Sequence, residues 1–470
     1  MTANDSPATD TDPAARRPRR RPWLMLGGLV LLLLGALAWE ILIHDAPPPD
    51  DAHLMPQWSD RGGHANPLAV FYSRISSKNV GLLMSRLSNE AAEARPGTGA
   101  ELEAFFHSIQ PELDAYQALM ATDIATWQWP EAPQQALATP SSSSVHIWWM
   151  ESLAKALRLR VLLLASEGNT EAATRESLLL IRWAHGMKGS ELAFNHLFAV
   201  SILQSQAADT LDEALTSGPA SPALLRHCLQ ELRGYPDHVP AHLQFADRIQ
   251  YAKFKDFIPN IPPGDLSSIV YRSKLARQHF PVFLKRNRAL ALKAAFVTAR
   301  MEAAAHGLRS SQMQAESQRK TWQMTRTSER KLPLCLINPN FAGMELVLNT
   351  EHLAPSSISF ALLAQHAIQH RQVLLMLAMR LHELEKGRFP ARLEDLVPDY
   401  LPAVPEDEFT GTPMRWNPAR ETLYSVGEDS KDDGGDIFAP IYTAPKDFGS
   451  VYWWSKPPAA GTVRGKTAVP

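Results

Sequence analysis

From Trp23 to Trp39 the chain carries no charged residue, and Leu29–Leu34 is leucine and valine throughout. Counted on through Glu40 to Ile43, the stretch has 21 residues. At ~1.5 Å per helical residue it spans ~31 Å, the thickness of a bilayer's hydrocarbon core. No other feature restricts the fold as strongly, because an apolar run in lipid must satisfy its own backbone hydrogen bonds and so must be a helix. Trp23 and Trp39 stand near its two ends, where indoles favour the headgroup level. Arg16, Arg17, Arg19, Arg20 and Arg21 precede it, and Asp45, Asp50 and Asp51 follow it. The positive-inside rule therefore places the short N-terminus in the cytoplasm and the rest of the chain outside. A cleaved leader is the competing reading, since Ala36-Leu37-Ala38 fits a small-x-small cut site and Arg20-Arg21-Pro22-Trp23-Leu24 fits a twin-arginine signal. Against it, the apolar run continues past that cut to Ile43. Either reading leaves the bulk of the chain extracytoplasmic. The greasiest later stretch, Leu374–Met379, is bracketed too closely by Arg371 and Arg380 to return across a membrane.

Residues 44–66 read as a linker: Pro47-Pro48-Pro49 as a stiff spacer that holds the body off the bilayer, and Gly62-Gly63 as a pivot. Helical periodicity begins near Leu68 and predicts helices at about 68–94, 100–121, 145–167, 170–187, 190–216 and 222–233. Breaks fall at Pro96-Gly97, Pro130 with Pro133, Gly168-Asn169, Gly189 and Gly218-Pro219. Around Gly168 small residues stand where two antiparallel helices would touch, in the manner of one tetratricopeptide-like hairpin without a 34-residue recurrence. An amphipathic stretch, Ala241–Phe257, follows, and then a long helix from Val282 to about Gly307. The chain turns polar from Ser310 to Lys331, which reads as a mobile connector or a solvated helix.

The net charge of −2 gives no reason to expect nucleic acid as a partner. It hides an asymmetry: residues 272–331 hold 14 Lys or Arg against three acids, and residues 394–436 hold 12 acids against Arg415, Arg420 and Lys431. Two solvated faces, two halves that dock on each other, or a basic face for anionic headgroups or an acidic partner are all consistent with this. The two cysteines, Cys228 and Cys335, exclude a disulfide-dense scaffold and a four-cysteine zinc site. They could pair in an oxidising compartment, or each could be a small buried apolar residue.

The C-terminal part opens with a helix predicted over Ile358–Leu384 and ended by Gly387. Phe389-Pro390, then Tyr400-Leu401-Pro402, Pro405 and Phe409-Thr410-Gly411 follow. Two short strands, Met414–Asn417 and Thr422–Val426, form a hairpin turned at Pro418. An acidic glycine loop runs from Gly427 to Asp436. Phe389, Pro390, Leu396, Tyr400, Leu401, Pro402, Pro405, Phe409, Gly411, Tyr424, Ser425, Gly427 and Asp429 carry the match by which this stretch resembles the C-terminal half of the major pseudopilins of type II secretion systems. The loop binds calcium in that family, so the resemblance implies calcium at Asp429, Asp432, Asp433 and Asp436, in a structural role. Calcium's need for six to eight hard oxygens suits such a loop. The resemblance stops there. A pilin leader ends in glycine and is followed by a glutamate at the fifth position, whereas Gly27 and Gly28 lead into Leu29-Val30-Leu31-Leu32.

Catalytic signatures are sparse. Ser152-Leu153-Ala154-Lys155 matches S-x-x-K but has no partner motif. His366 and His370 stand four apart on one helix face, a zinc-compatible spacing without an evident third ligand, and polar surface histidines are the plainer account. Trp127/Trp129, Trp148/Trp149 and Trp453/Trp454 could line a ligand groove or pack helices.

The expected chain is mainly α. It has a cytoplasmic tail (1–22), a transmembrane helix (23–43), a linker (44–66), a body of antiparallel helical hairpins (67–309) and a polar connector (310–354). A small α+β pseudopilin-like module (355–456), a long helix plus a short β-hairpin, and a flexible tail (457–470) complete it. The expected role is a scaffold or adaptor in the bacterial inner membrane with its body in the periplasm, holding a protein partner in secretion or envelope assembly. A hydrolase with a site assembled from scattered residues, and a glycan- or peptide-binding module, are the other readings.

Overall fold

The computed structural model describes residues 21–57, 66–74, 99–127, 142–188, 194–235, 239–260, 284–328, 340, 343, 344, 346–348, 357–427, 429–437 and 448–451. Helices make up 71% of them, so the chain is mainly α. The first helix, α1 (Arg21–Leu42), has 22 residues, ~33 Å of helix. Its side chains are described over 25–40, ~24 Å, and among the described residues no helix is long and apolar enough to cross a membrane. Leu31, Leu32 and Leu33 are 71%, 73% and 62% exposed. A methyl group added at Gly27, Gly28 or Gly35 would meet nothing within 4 Å. Over residues 25–39 α1 therefore stands clear of the body.

The body begins with α2 (Pro67–Arg74), α3 (Gly99–Ser108) and α4 (Gln110–Met120). Phe71 and Tyr116 set their rings edge-on against Trp183, at centroid distances of 6.2 and 5.6 Å. Trp183 lies on α6 (Thr170–Lys188), the second arm of the hairpin that starts with α5 (Ser142–Ser166). Gly168, at φ +78°, turns that hairpin. The N–H groups of Gly168 and Asn169 close on the carbonyls of Ala165 and Leu164, and the Asn169 side chain accepts from the Ala172 N–H at 3.2 Å. The pair thus satisfies the end of one helix and the start of the next. Residues α7 (Phe194–Thr216) pack across both arms, where Arg158 of α5 forms a bidentate ion pair with Glu213. α8 (Pro222–Arg233) starts at Ser221, whose Oγ accepts from the Leu224 N–H, with proline at the first helical position. Its buried stripe of Leu225, Cys228, Leu229 and Leu232 has the i, i+3, i+4, i+7 spacing of a one-sided helix.

Next come α9 (Val239–Phe257), α10 (Arg286–Ala305) and α11 (Leu308–Ser328). The polar stretch expected as a connector is α11, packed on α10 and on the long α12 (Ser357–Lys386). Leu308 is buried in the core at its start, and polar groups hold it further along. The Arg300 guanidinium, 3% exposed, donates to Asp247 Oδ1 of α9 at 2.7 Å and to Gln318 Oε1 of α11 at 3.4 Å. The Gln318 amide donates to the Phe296 carbonyl at 3.1 Å.

Gly387, at φ +70°, ends α12, and the chain turns through a short 3-10 helix, Leu393–Leu396. The sheet that follows has three antiparallel strands, β1 (Arg415–Asn417), β2 (Thr422–Ser425) and β3 (Phe448–Val451), in that order. β1 and β2 are the expected hairpin. β3, absent from the sequence expectation, pairs on the far edge of β2 with Ser425 opposite Phe448, so β2 is central and buried along its length. Arg309 of α11 donates to the Phe409 carbonyl at 2.9 Å, and Arg371 of α12 to that of Glu406 at 2.8 Å. The first of these bonds joins the module to the helical body, and the second ties the long helix of the module to the turn before its hairpin. Residues 1–20, Gly62-Gly63, Cys335, Trp129, Trp453, Trp454 and the tail 457–470 lie outside the described residues.

Candidate functional site

Four places merit a functional reading, beginning with the junction of α1 and the body. Beyond Leu42 the chain does not space the body away; residues 45–54 lie against α9 and α10, a correction to the stiff-spacer reading of this half of the linker. Asp45 accepts the N–H groups of Asn287 and Arg288 at 2.9 and 3.2 Å, capping α10 from 240 residues away in sequence. The Asn287 amide donates to the Ala46 carbonyl at 2.7 Å. The Arg288 guanidinium bonds the Glu40 carboxylate, near the end of α1. Asp51 accepts from Tyr251 Oη at 2.7 Å and pairs with Lys255 at 2.8 Å. Leu54 is fully buried with Tyr251 and Val297. Proline at 47–49 suits this path, because an extended chain crossing a surface needs few N–H donors.

The titration of Asp51 follows from its partners. Burial pushes the carboxyl up, but the hydrogen bonds from Lys255 and Tyr251 together with the Lys255 charge outweigh it, and the net value lies below the ordinary 3.8. A depressed carboxyl contributes stability that is fully present above its unfolded value and lost as pH falls through the folded one. Docking of residues 51–55 is therefore expected to hold at neutral pH and to loosen below about pH 4. Hydrogen exchange at Leu54 as a function of pH measures this, and Asp51→Asn should remove the acid-dependent step. A step that persists in that variant would assign it to another group.

A groove of about 340 Å³ opens between α8, the end of α12 and the turn that follows. Arg226, Arg233, Glu385, Lys386, Asp399 and Tyr400 line it. Arg226 bonds Glu385, which also accepts from Tyr400 Oη at 3.1 Å. The Arg226 hydrogen bond leads in holding the Glu385 carboxyl below the usual range, and burial followed by Glu385 pushes the Tyr400 phenol up to about 12. The groove thus presents a tyrosine kept neutral and a carboxylate kept charged at the seam between body and module.

His370 lies 5.1 Å, ring to ring, from His185 of α6, and His185 stacks on Tyr235 at 4.7 Å. His382 turns away, its Nδ1–H donating to the Arg388 carbonyl at 2.9 Å. Lys155 of the S-x-x-K match pairs with Glu151 at 2.8 Å, and Ser152 is buried. Trp127 is a packing residue: it is buried, its Nε1–H donates to Thr122 Oγ1, and a methyl at Gly186 would stand 2.3 Å from its ring. The Cys228 thiol is free and buried, and burial raises it to about 12.

In the acidic loop the carboxylates are answered by the chain's own groups. Asp432 accepts from Tyr424 Oη at 3.0 Å and the Gly434 N–H at 2.9 Å, and pairs with Arg415 at 3.5 Å. Asp436 lies 3.7 Å from Arg420, and Asp429 3.9 Å from Lys431. Asp433 is half-buried and has partners of its own. Among the described residues no group of three or more metal-ligating side chains converges. Calcium held at Asp429, Asp432, Asp433 and Asp436 would raise the melting midpoint of the full chain over that in chelator, and Asp432→Ala with Asp433→Ala would abolish the rise. Superimposed scans would rule the site out.

No family model matches this chain, nor does any curated protein or solved structure. The reading of function therefore rests on geometry. Sequence reasoning missed the Asp45 and Asp51 contacts and the groove, whose residues are brought together from positions 226–233 and 381–400. A cue was present in Asp45, Asp50 and Asp51, read only as topology signals.

Proposed function

We propose that this chain is a membrane-tethered scaffold of the bacterial envelope, with α1 in the inner membrane, its N-terminus cytoplasmic and its body periplasmic, holding a protein partner. The observation that carries the reading is the exposure of Leu29–Leu34 around α1. A helix apolar on every side has no stable place in water; lipid is the solvent that removes the cost, at ~25 cal/mol per Å² of apolar surface. The helix of 22 residues and its flanking charges agree with a single span. The pseudopilin resemblance of the C-terminal module supports a place in secretion or envelope assembly. The groove at the seam offers a partner both charge signs and a shape shared by body and module.

Crosslinking in intact membranes followed by mass spectrometry tests the scaffold role. One reproducible partner, lost when Arg233 and Lys386 are both changed to glutamate, is the expected result. Recovery of no reproducible partner would count against the scaffold.

A further inference from the structure

We propose that Arg286, in the first turn of α10, contacts the phosphates of anionic phospholipid headgroups, with Arg288 pinning that turn to α1 through Glu40. The proposal rests on the reading of α1 as a membrane helix and adds where the body sits. Asp45 lies three residues beyond the end of α1, and its carboxylate is within hydrogen-bond distance of the backbone N–H groups of residues 287 and 288. Arg288 bonds Glu40, inside the last turn of α1. Two independent contacts therefore set the start of α10 beside the point where α1 leaves the apolar layer, at headgroup depth.

The charge at this place fits phosphate. Lys285, Arg286 and Arg288 fall within four residues, and Lys285 is buried. Asp45 is occupied by backbone N–H groups and Glu40 by Arg288. Arg286 is exposed and enters none of the ion pairs of this face among the described residues. A guanidinium presents a fork that matches two phosphate oxygens, and basic residues next to a membrane helix are attracted to anionic lipid. The Asp51 and Leu54 contacts keep the body from swinging away, so Arg286 is held at the surface rather than visiting it.

The test uses the full chain in lipid nanodiscs and reads amide exchange over residues 284–290. Discs of phosphatidylcholine alone are compared with discs containing phosphatidylglycerol. Exchange is expected to slow by roughly five-fold in the anionic discs, the effect of about one basic contact, and Arg286→Glu should abolish the difference. Equal exchange in both discs, with α1 protected in both, would overturn the headgroup surface while leaving the anchor intact. Slowing produced equally by inorganic phosphate over phosphatidylcholine discs would also overturn it. A chain that does not enter discs at all would overturn both the surface and the anchor.

Discussion

Replacing Asp407 by alanine is expected to destabilise the C-terminal module by about 4 kcal/mol, because three buried donors lose one charged acceptor. The Asp407 carboxylate, 1% exposed, accepts from the Phe409 N–H, the Ser425 hydroxyl and the Val426 N–H, each at 2.9 Å. Its own backbone closes the turn, with the Gly411 N–H donating to its carbonyl and Gly411 at φ +68°. One side chain thus fixes the turn before β1 to the end of β2. Asp407→Asn retains the shape but offers one acceptor oxygen in place of two, and should cost about half as much. Urea denaturation read by hydrogen exchange at Val426 measures both. A loss below about 1 kcal/mol in the alanine variant would mean that water satisfies these donors and the account of the module is wrong.

The second large effect is expected at Asp247. Asp247→Ala strands the Arg300 guanidinium in the interior, which for a broken buried pair costs about 3–5 kcal/mol. Because the same guanidinium reaches Gln318, the loss should spread to α11. The double variant Asp247→Ala with Arg300→Met removes the uncompensated charge and should recover most of the stability. Equilibrium unfolding of the wild type, the two single variants and the double variant gives the coupling directly. Additive losses would show that the two side chains act separately.

Where the sequence spoke clearly, the signal was local. Gly168-Asn169 turns a hairpin with bonds that reach no further than five residues, and Ser221-Pro222 starts α8 in the same way. The stripe Leu225, Cys228, Leu229 and Leu232 announces its buried face by spacing alone. The hairpin of β1 and β2 was legible from its turn, with Asn417 Oδ1 accepting from the Ala419 and Arg420 N–H groups. What was illegible depends on residues far apart. Asp51 meets Lys255 across 204 positions, and nothing around either residue marks the other. The polar run 310–331 reads equally as a connector or a solvated helix because it offers few apolar residues, and the structure places 308–328 in the helix α11, with Leu308, Ser311 and Gln318 buried. Asp407 was hidden among 12 acids, although it is buried while Asp429 and Asp432 are exposed. β3 offers only Phe-Gly-Ser-Val, too short and too small a pattern to stand out from a loop.

Trypsin shaving of intact spheroplasts tests the central claim most directly. A tag after Pro470 is followed by immunoblot in the membrane fraction after carbonate washing. The tethered, outward-facing body predicts that the full-length band stays in the washed membrane without protease and loses its C-terminal tag when protease is added outside. A tag that survives until the spheroplasts are lysed, or a chain that leaves the membrane in carbonate, would contradict it.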